Sequence, residues 1–228
     1  MPRPAVLAPL VAAVLVSGCG SPWQKNIDLD APSLFRPGEG LILGSVTAPI
    51  IPPHHHETLI FHYRSTGDGG NTTGQLTSAA LNWSMVTIPT CSEDGLTELC
   101  GRLFAVSLPA GDYEIHNVQE VGPPSYIYEM PPLRFTVAPG RASYLGNLHT
   151  SFCKGQPSRH RLRGAILGGD MLILDESQRD LAILEARYPQ LTGAEIEKQL
   201  LPNLAWRWRV PWEPYDWGSC GSGQSADQ

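Results

Sequence analysis

The chain has 228 residues, 42% of them hydrophobic, enough to bury a core as one domain or as a domain with an extension. Its 23 glycines and 21 prolines punctuate short apolar runs and argue for β-structure with many turns over a helical bundle. The formal net charge is −6 and no large basic field exists, so nucleic-acid binding has no support.

The chain opens with one positive charge, Arg3, followed by an apolar run from Ala5 to Val16 and then Val16-Ser17-Gly18-Cys19. The run has signal-peptide length and is too short for a transmembrane span. Val16-Ser17-Gly18-Cys19 resembles the bacterial lipobox, in which small residues precede a cysteine that is lipidated and becomes the new N-terminus. The resemblance implies a signal peptide over residues 1–18, a lipid anchor on Cys19 and a place in the bacterial cell envelope. Gly20 follows rather than Asp, which points to the outer membrane, with the protein facing the periplasm. Acyl chains bury CH₂ groups at ~0.8 kcal/mol each, enough for stable anchoring by several chains. Residues 19–37 carry Ser21-Pro22-Trp23, Asp30-Ala31-Pro32 and Arg36-Pro37 without sustained periodicity, and read as a tether.

Residues 38–153 read as a mainly β domain, an antiparallel β-sandwich. Gly40–Thr47 is the first strand and Leu59–Arg64 the second, with Leu59, Phe61 and Tyr63 on one face because strand side chains alternate. Ser65–Ser78 reads as a polar loop. Leu81–Pro89, with Trp83, Met85 and Thr87, is the third strand, and a loop from Cys91 to Cys100 follows. Arg102–Leu108, Asp112–Val118, Ser125–Met130, Leu133–Val137 and Ala142–His149 are the remaining strands. Two near-copies of one pattern lie here, an alternating run meeting Pro109-Ala110-Gly111 and another meeting Pro139-Gly140. Both read as hairpins, since proline presets a turn and glycine permits the reversal.

Residues 154–217 read as an extension packed on the sandwich. Lys154–Arg163 is a basic loop, and Asp170–Leu174 a further strand returning to the sheet. Asp175 and Gln178 stand at capping-box spacing and open a helix with the stripe Leu181, Leu184 and Tyr188, stopped by Pro189. Thr192 and Glu195 repeat that spacing and predict a second short helix, to Leu201. Trp206–Trp217 is a Trp-rich strap, and residues 218–228 form a polar tail.

This order of pieces resembles a group of uncharacterised bacterial lipoproteins with a transthyretin-like or carboxypeptidase-regulatory-like β-sandwich. The matching elements are Leu41–Thr47, Leu108–Ile115, Val137–Asn147, and Asp175–Leu181 followed by Tyr188-Pro189. The resemblance implies a fold and an address, with no catalytic motif to carry over.

With Cys19 assigned to lipid, four cysteines remain, Cys91, Cys100, Cys153 and Cys220. An even number in an oxidising compartment predicts two disulfides, with three connectivities open. Cys91–Cys100 is the natural local pair. Cys153–Cys220 would then clip the tail back, a constraint worth roughly 2–4 kcal/mol. No C-x₂-C spacing supports a metal instead.

His54, His55, His56 and Glu57, with His62 nearby, offer imidazole ligands, and a strand would set His56 and His62 on one side. Consecutive histidines cannot all face one ion and no HExxH occurs, so we read a polar loop before a strand. Gly67–Gly74 lacks the lysine of a phosphate loop, and Ser219 and Ser222 lack the context of a nucleophile elbow.

Trp206 and Trp208 would share one strand face, with Arg207 and Arg209 on the other. With Trp212 and Trp217 they form either a platform for sugar rings or a strap anchoring the tail. The reading is therefore a lipid-anchored, non-enzymatic structural or protein-interaction module without a cofactor. Its partners are the membrane and another envelope protein or peptidoglycan. The alternatives are a glycan-binding module on the Trp segment, and a metal-dependent protein around His54, His56 and His62.

Overall fold

In the computed structural model the described residues are 24–30, 33–49, 58–67, 71–78, 96, 99–121, 125–154, 166–203 and 206–209. In chain order they form β1 (Glu39–Pro49), β2 (Thr58–Ser65), β3 (Thr73–Thr77), β4 (Leu99–Pro109), β5 (Gly111–Val121), β6 (Tyr126–Val137), β7 (Ala142–Lys154) and β8 (Ile166–Leu174). Then come α1 (Ser177–Arg187), a 3-10 turn at Pro189–Leu191, β9 (Ile196–Lys198) and β10 (Trp206–Arg209). The fold is mainly β, in two sheets.

One sheet runs β10-β8-β7-β1-β4, with β9 also on β7; the other runs β3-β2-β5-β6. Residues 40–48 of β1 are buried at every position because both faces of its sheet are covered. Ile42 and Val46 meet Phe104, Val106 and Leu148 and, from the facing sheet, Phe61, Ile115, Leu133 and Phe135. Leu41 and Leu43 point the other way, with Leu103, Ala105 and Tyr144, into a second cluster closed by Leu184, Tyr188 and Leu191. A strand buried on both sides reads as a continuous apolar run, as Leu41-Ile42-Leu43 does.

The expectation of a purely antiparallel arrangement is corrected: β1 pairs with β4 antiparallel but with β7 parallel, and β9 pairs with β7 parallel. Parallel neighbours need a long crossover, and here the chain visits the other sheet between β1 and β7. The two expected hairpins are corrected for the same reason. β4 pairs with β1, whereas β5 pairs with β2 and β6; β6 pairs with β5, whereas β7 pairs with β1 and β8. Pro109-Ala110-Gly111 and Pro139-Gly140 are therefore corners that carry the chain from one sheet to the other. The consecutive strands that do pair antiparallel are β2–β3, β5–β6 and β7–β8.

Both corners rest on the start of β1. Ala110 N–H donates to Gly38 O at 2.9 Å, Gly140 N–H to Glu39 O at 2.8 Å and Leu41 N–H to Arg141 O at 2.9 Å. Gly140 takes φ +68°, which a side chain disfavours. Gly40 has a different reason, since a Cβ there would run into the Ala138 carbonyl. Tyr113 OH, just past the first corner, donates back to Pro109 O at 2.8 Å.

Thr73–Thr77, expected in a loop, is a short edge strand whose Leu76 is fully buried. The N-cap is Glu176 rather than Asp175, and it makes no side-chain cap bond. Asp175 instead accepts the Ser177 N–H at 3.2 Å and the Lys198 ammonium at 2.8 Å. The stripe Leu181, Leu184 and Tyr188 does face the sheet.

The second helix, expected over Thr192–Leu201, does not form. Pro189–Leu191 makes a 3-10 turn, Gly193 takes φ +79°, and Ile196–Lys198 pairs with Ala142–Tyr144. β8 pairs with β7 only from Asn147 onward, which leaves the start of β7 with an open edge. The bonds Gln199 N–H to Tyr144 O and Leu201 N–H to Leu145 O, both 3.0 Å, extend the pairing. Backbone pairing there outweighs a weak local helix signal.

The expected tether is docked where it is described. Gln24 Nε2 and Asn26 Nδ2 donate to Leu103 O at 3.0 and 3.4 Å, Ala105 N–H donates to Asn26 Oδ1 at 3.1 Å, and Ile27 N–H donates to Ala105 O at 2.7 Å. Gln24 Oε1 also accepts the Thr77 N–H of β3 at 2.9 Å. One side chain thus ties the edge strand of one sheet to the edge strand of the other, and β4 is not left as an open pairing edge. The strand expected at Leu81–Pro89 lies outside the described residues.

Candidate functional site

Polar side chains collect where α1 crosses the sheet. β1 contributes Ser45 and Thr47, two residues apart and so on the same face as Leu41 and Leu43. β7 contributes Tyr144, Asn147 and His149, and α1 contributes Arg179 and Asp180. Ser45, Thr47, Tyr144, Asn147 and Asp180 are all at 0% exposure, so burial demands partners for each.

Asp180 is the centre of this group. Its Oδ2 accepts the Ser45 hydroxyl at 2.6 Å and the Tyr144 hydroxyl at 2.8 Å. Its Oδ1 accepts Arg179 Nε at 2.9 Å and Nη2 at 2.7 Å, while Arg179 Nη1 lies 3.6 Å from Glu176. Four donors on one carboxylate offset the cost of taking its charge out of water. Burial first, and then the Asp180 charge, push the Tyr144 phenol far above its ordinary range. Tyr144 is therefore a fixed neutral donor.

Beside it, Thr47 donates to Asn147 Oδ1 at 2.8 Å and its oxygen lies 3.0 Å from His149 Nδ1. Burial, and then the Arg179 charge, hold the His149 pKa below its ordinary value, so the ring is neutral at pH 7. Among the described residues Asn147 Nδ2 finds no partner.

The set contains a serine, an aspartate, a threonine and a histidine, but its connections are not those of a nucleophile and base. Ser45 gives its proton to a carboxylate already engaged by arginine, and Thr47 gives its own to an amide. Activation needs the hydroxyl directed at a base and open to substrate, and neither hydroxyl meets that condition. What the arrangement does is fix α1 on the sheet through a charge-assisted cluster.

His62 projects from β2, where Nε2 lies 3.1 Å from Gln119 Oε1 and Nδ1 lies 3.5 Å from Gln75 Nε2. Among the described residues no three His, Cys, Asp or Glu side chains stand close enough to share an ion. His54 and His56 lie outside them. On β10, Trp206 packs partly buried against the inter-sheet core, and Arg207 Nε donates to Asp170. The side chains of Trp208 and Arg209, and Trp212 and Trp217 entirely, lie outside the described residues. So do Cys19, Cys91, Cys220 and the side chains of Cys100 and Cys153, and with them the disulfide expectations.

Sequence reasoning passed over the Asp180 group. Asp175–Leu181 stands out only as a helix start and as part of a resemblance, and Ser45 and Thr47 only as members of an apolar strand. One signal was available: two hydroxyl residues on one face of a strand otherwise apolar, for which a buried position requires a polar partner from another element.

These elements define a mainly β protein of two facing sheets, one of them covered on its outer side by a helix and an N-terminal segment. The chain matches no family model and no curated protein. Among solved structures, a leucine-rich repeat protein from Bacteroides thetaiotaomicron aligns with 50% of this chain at 12% identity and a TM-score of 0.28. The chain spans 14% of that protein. So slight a likeness carries no argument about fold or activity.

Proposed function

We propose that this protein is a lipid-anchored cell-envelope lipoprotein whose β-sandwich, of the transthyretin/Ig-like type, is a non-enzymatic structural or protein-interaction module. The observation that carries this reading is the spacing between lipobox and body. Cys19, behind its apolar leader, stands five positions before Gln24, the side chain that ties β3 to β4. Cleavage after Gly18 leaves the docked segment whole, whereas cleavage after Gln24 would remove that tie. The engaged hydroxyls of Ser45 and Thr47 support a structural role for the buried polar group. The outer-membrane address rests on Gly20 after the lipobox cysteine.

The test is metabolic labelling with a fatty acid, followed by membrane fractionation, of the wild type and of Cys19→Ser. The wild type is expected to carry label and to sediment with membranes, and the variant to lose both. Equal membrane association of an unlabelled wild type and the variant would contradict the anchor.

A further inference from the structure

We propose that the cleft between the β3 and β4 edges binds a small organic acid, one with an apolar body and a hydrogen-bond acceptor at the end away from its acid group. The inference goes beyond the envelope reading and does not depend on the anchor at Cys19.

Three parts of the chain build the cleft. One sheet contributes Tyr63 of β2 and Gly74 of β3, the other contributes Val106 of β4, and the docked N-terminal segment contributes Lys25, Ile27, Leu34 and Arg36. Its volume is about 420 Å³, within the roughly 300–1,000 Å³ of small-molecule sites.

Tyr63 is the residue that calls for a ligand. It is 6% exposed, yet its hydroxyl has no hydrogen-bond partner among the described residues. Its edge-on neighbour Tyr113, 6.4 Å away between ring centroids, donates its own hydroxyl to Pro109 O, as a buried hydroxyl ordinarily does. Gly74 stands opposite Tyr63 in the β2–β3 ladder, and a Cβ on it would lie 2.2 Å from the Tyr63 oxygen. The phenol therefore crosses β3 where there is no side chain and ends in the cleft wall. Covering a strand glycine takes only the ring; the oxygen extends past what that role requires. Burial, and then Tyr113, push the Tyr63 pKa up to about 12, so the phenol stays protonated and offers a donor.

The rim selects the charge. Lys25 and Arg36, both exposed, line it together with Asp28, which leaves a surplus of one positive charge. Asp28 is also turned toward its own chain, where Oδ1 accepts the Asp30 N–H at 3.1 Å. Between the rim and Tyr63 lie the apolar side chains of Ile27, Leu34 and Val106. A cationic rim, apolar walls and a deep neutral donor together match an acid group, an apolar body and a distal acceptor.

The test titrates the full chain, as cells mature it, with para-hydroxyphenylacetate, phenylacetate and tyramine, and reads binding by calorimetry. The hydroxy acid is expected to bind, and the acid lacking the hydroxyl to bind roughly two- to ten-fold more weakly, the span of one neutral hydrogen bond. Tyramine, with the charge reversed, should not bind measurably. Tyr63→Phe keeps the ring over Gly74 and should erase the difference between the two acids. Lys25→Gln combined with Arg36→Gln should weaken both acids several-fold and remove most of the salt dependence of binding. The site is overturned by no binding of the hydroxy acid, by tyramine binding as well as the acids, or by a hydroxyl preference that survives Tyr63→Phe. Unchanged acid affinity in the double variant overturns it equally.

Discussion

At the scale of single residues, the most consequential side chain is Asp180, which is fully buried and collects bonds from Ser45, Tyr144 and Arg179. Removing it strands two hydroxyls and leaves the guanidinium without its main partner. Asp180→Ala is expected to cost on the order of 3 kcal/mol in denaturant unfolding, reduced from a fully buried pair because Arg179 is partly exposed. Tyr144→Phe removes one donor and should cost about 1 kcal/mol. A loss for Asp180→Ala no larger than that for Tyr144→Phe would remove the carboxylate from the centre of the group.

His149 gives the group a pH signature. Its folded pKa lies below the ordinary value, so on acidification the unfolded chain takes up a proton before the folded one does. The stability it contributes is present above the unfolded pKa of about 6.5 and is lost as pH falls toward the folded value. His116 is shifted the same way, by burial and then by Arg64, and adds to the slope. Denaturant midpoints measured from about pH 7.5 to about pH 5 should therefore fall more steeply for the wild type than for His149→Gln. Parallel curves would show that His149 titrates alike in both states.

At the scale of elements, two glycines near the start of β1 separate steric from conformational demands. Gly40 sits where a Cβ would strike the Ala138 carbonyl, whereas Gly38 has φ +77° and open space around it. Gly38→Ala should cost about 1–2 kcal/mol, the strain of a left-handed residue. Gly40→Val should cost more, since backbone on both sides must move, and is expected to reduce the yield of folded protein. Equal unfolding midpoints for the two variants would contradict the close approach of the corner to β1.

The element scale also shows what the sequence makes legible. Alternation found β2, β4, β5 and β7, because each has an apolar face toward a common core; it split β6 at Pro131-Pro132 into Ser125–Met130 and Leu133–Val137, where one strand runs through from Tyr126 to Val137. It could not assign strands to sheets. A proline-glycine reversal looks the same whether the chain folds back onto its neighbour or turns a corner into the opposite sheet, and the difference lies in long-range pairing with β1. The second helix was misread because capping-box spacing is a local signal, while the open start of β7 is a tertiary one. The Asp180 group was hidden for a related reason. Its members come from β1, β7 and α1, far apart in the chain, and their spacing carries no motif.

At the scale of the whole molecule, a docked N-terminal segment and the edges of both sheets meet in one place. Residues 24–27 close the edge between β3 and β4, so under the proposed function the segment that leads to the anchor also holds the fold. Gln24→Ala removes the bonds to both sheets and should raise amide exchange at Thr77 and Ala105 while β5 and β6 keep their protection. Uniform change across the molecule would mean that Gln24 does not hold the edge in particular.

The central claim is that the mature protein begins at a lipid-bearing Cys19. The most direct measurement is the intact mass of protein extracted from the membrane fraction, with the N-terminal peptide mapped after digestion. The expected result is a chain starting at Cys19 whose N-terminal peptide carries acyl mass. A mature chain that keeps residues 1–18, or starts elsewhere with an unmodified N-terminus, would contradict it.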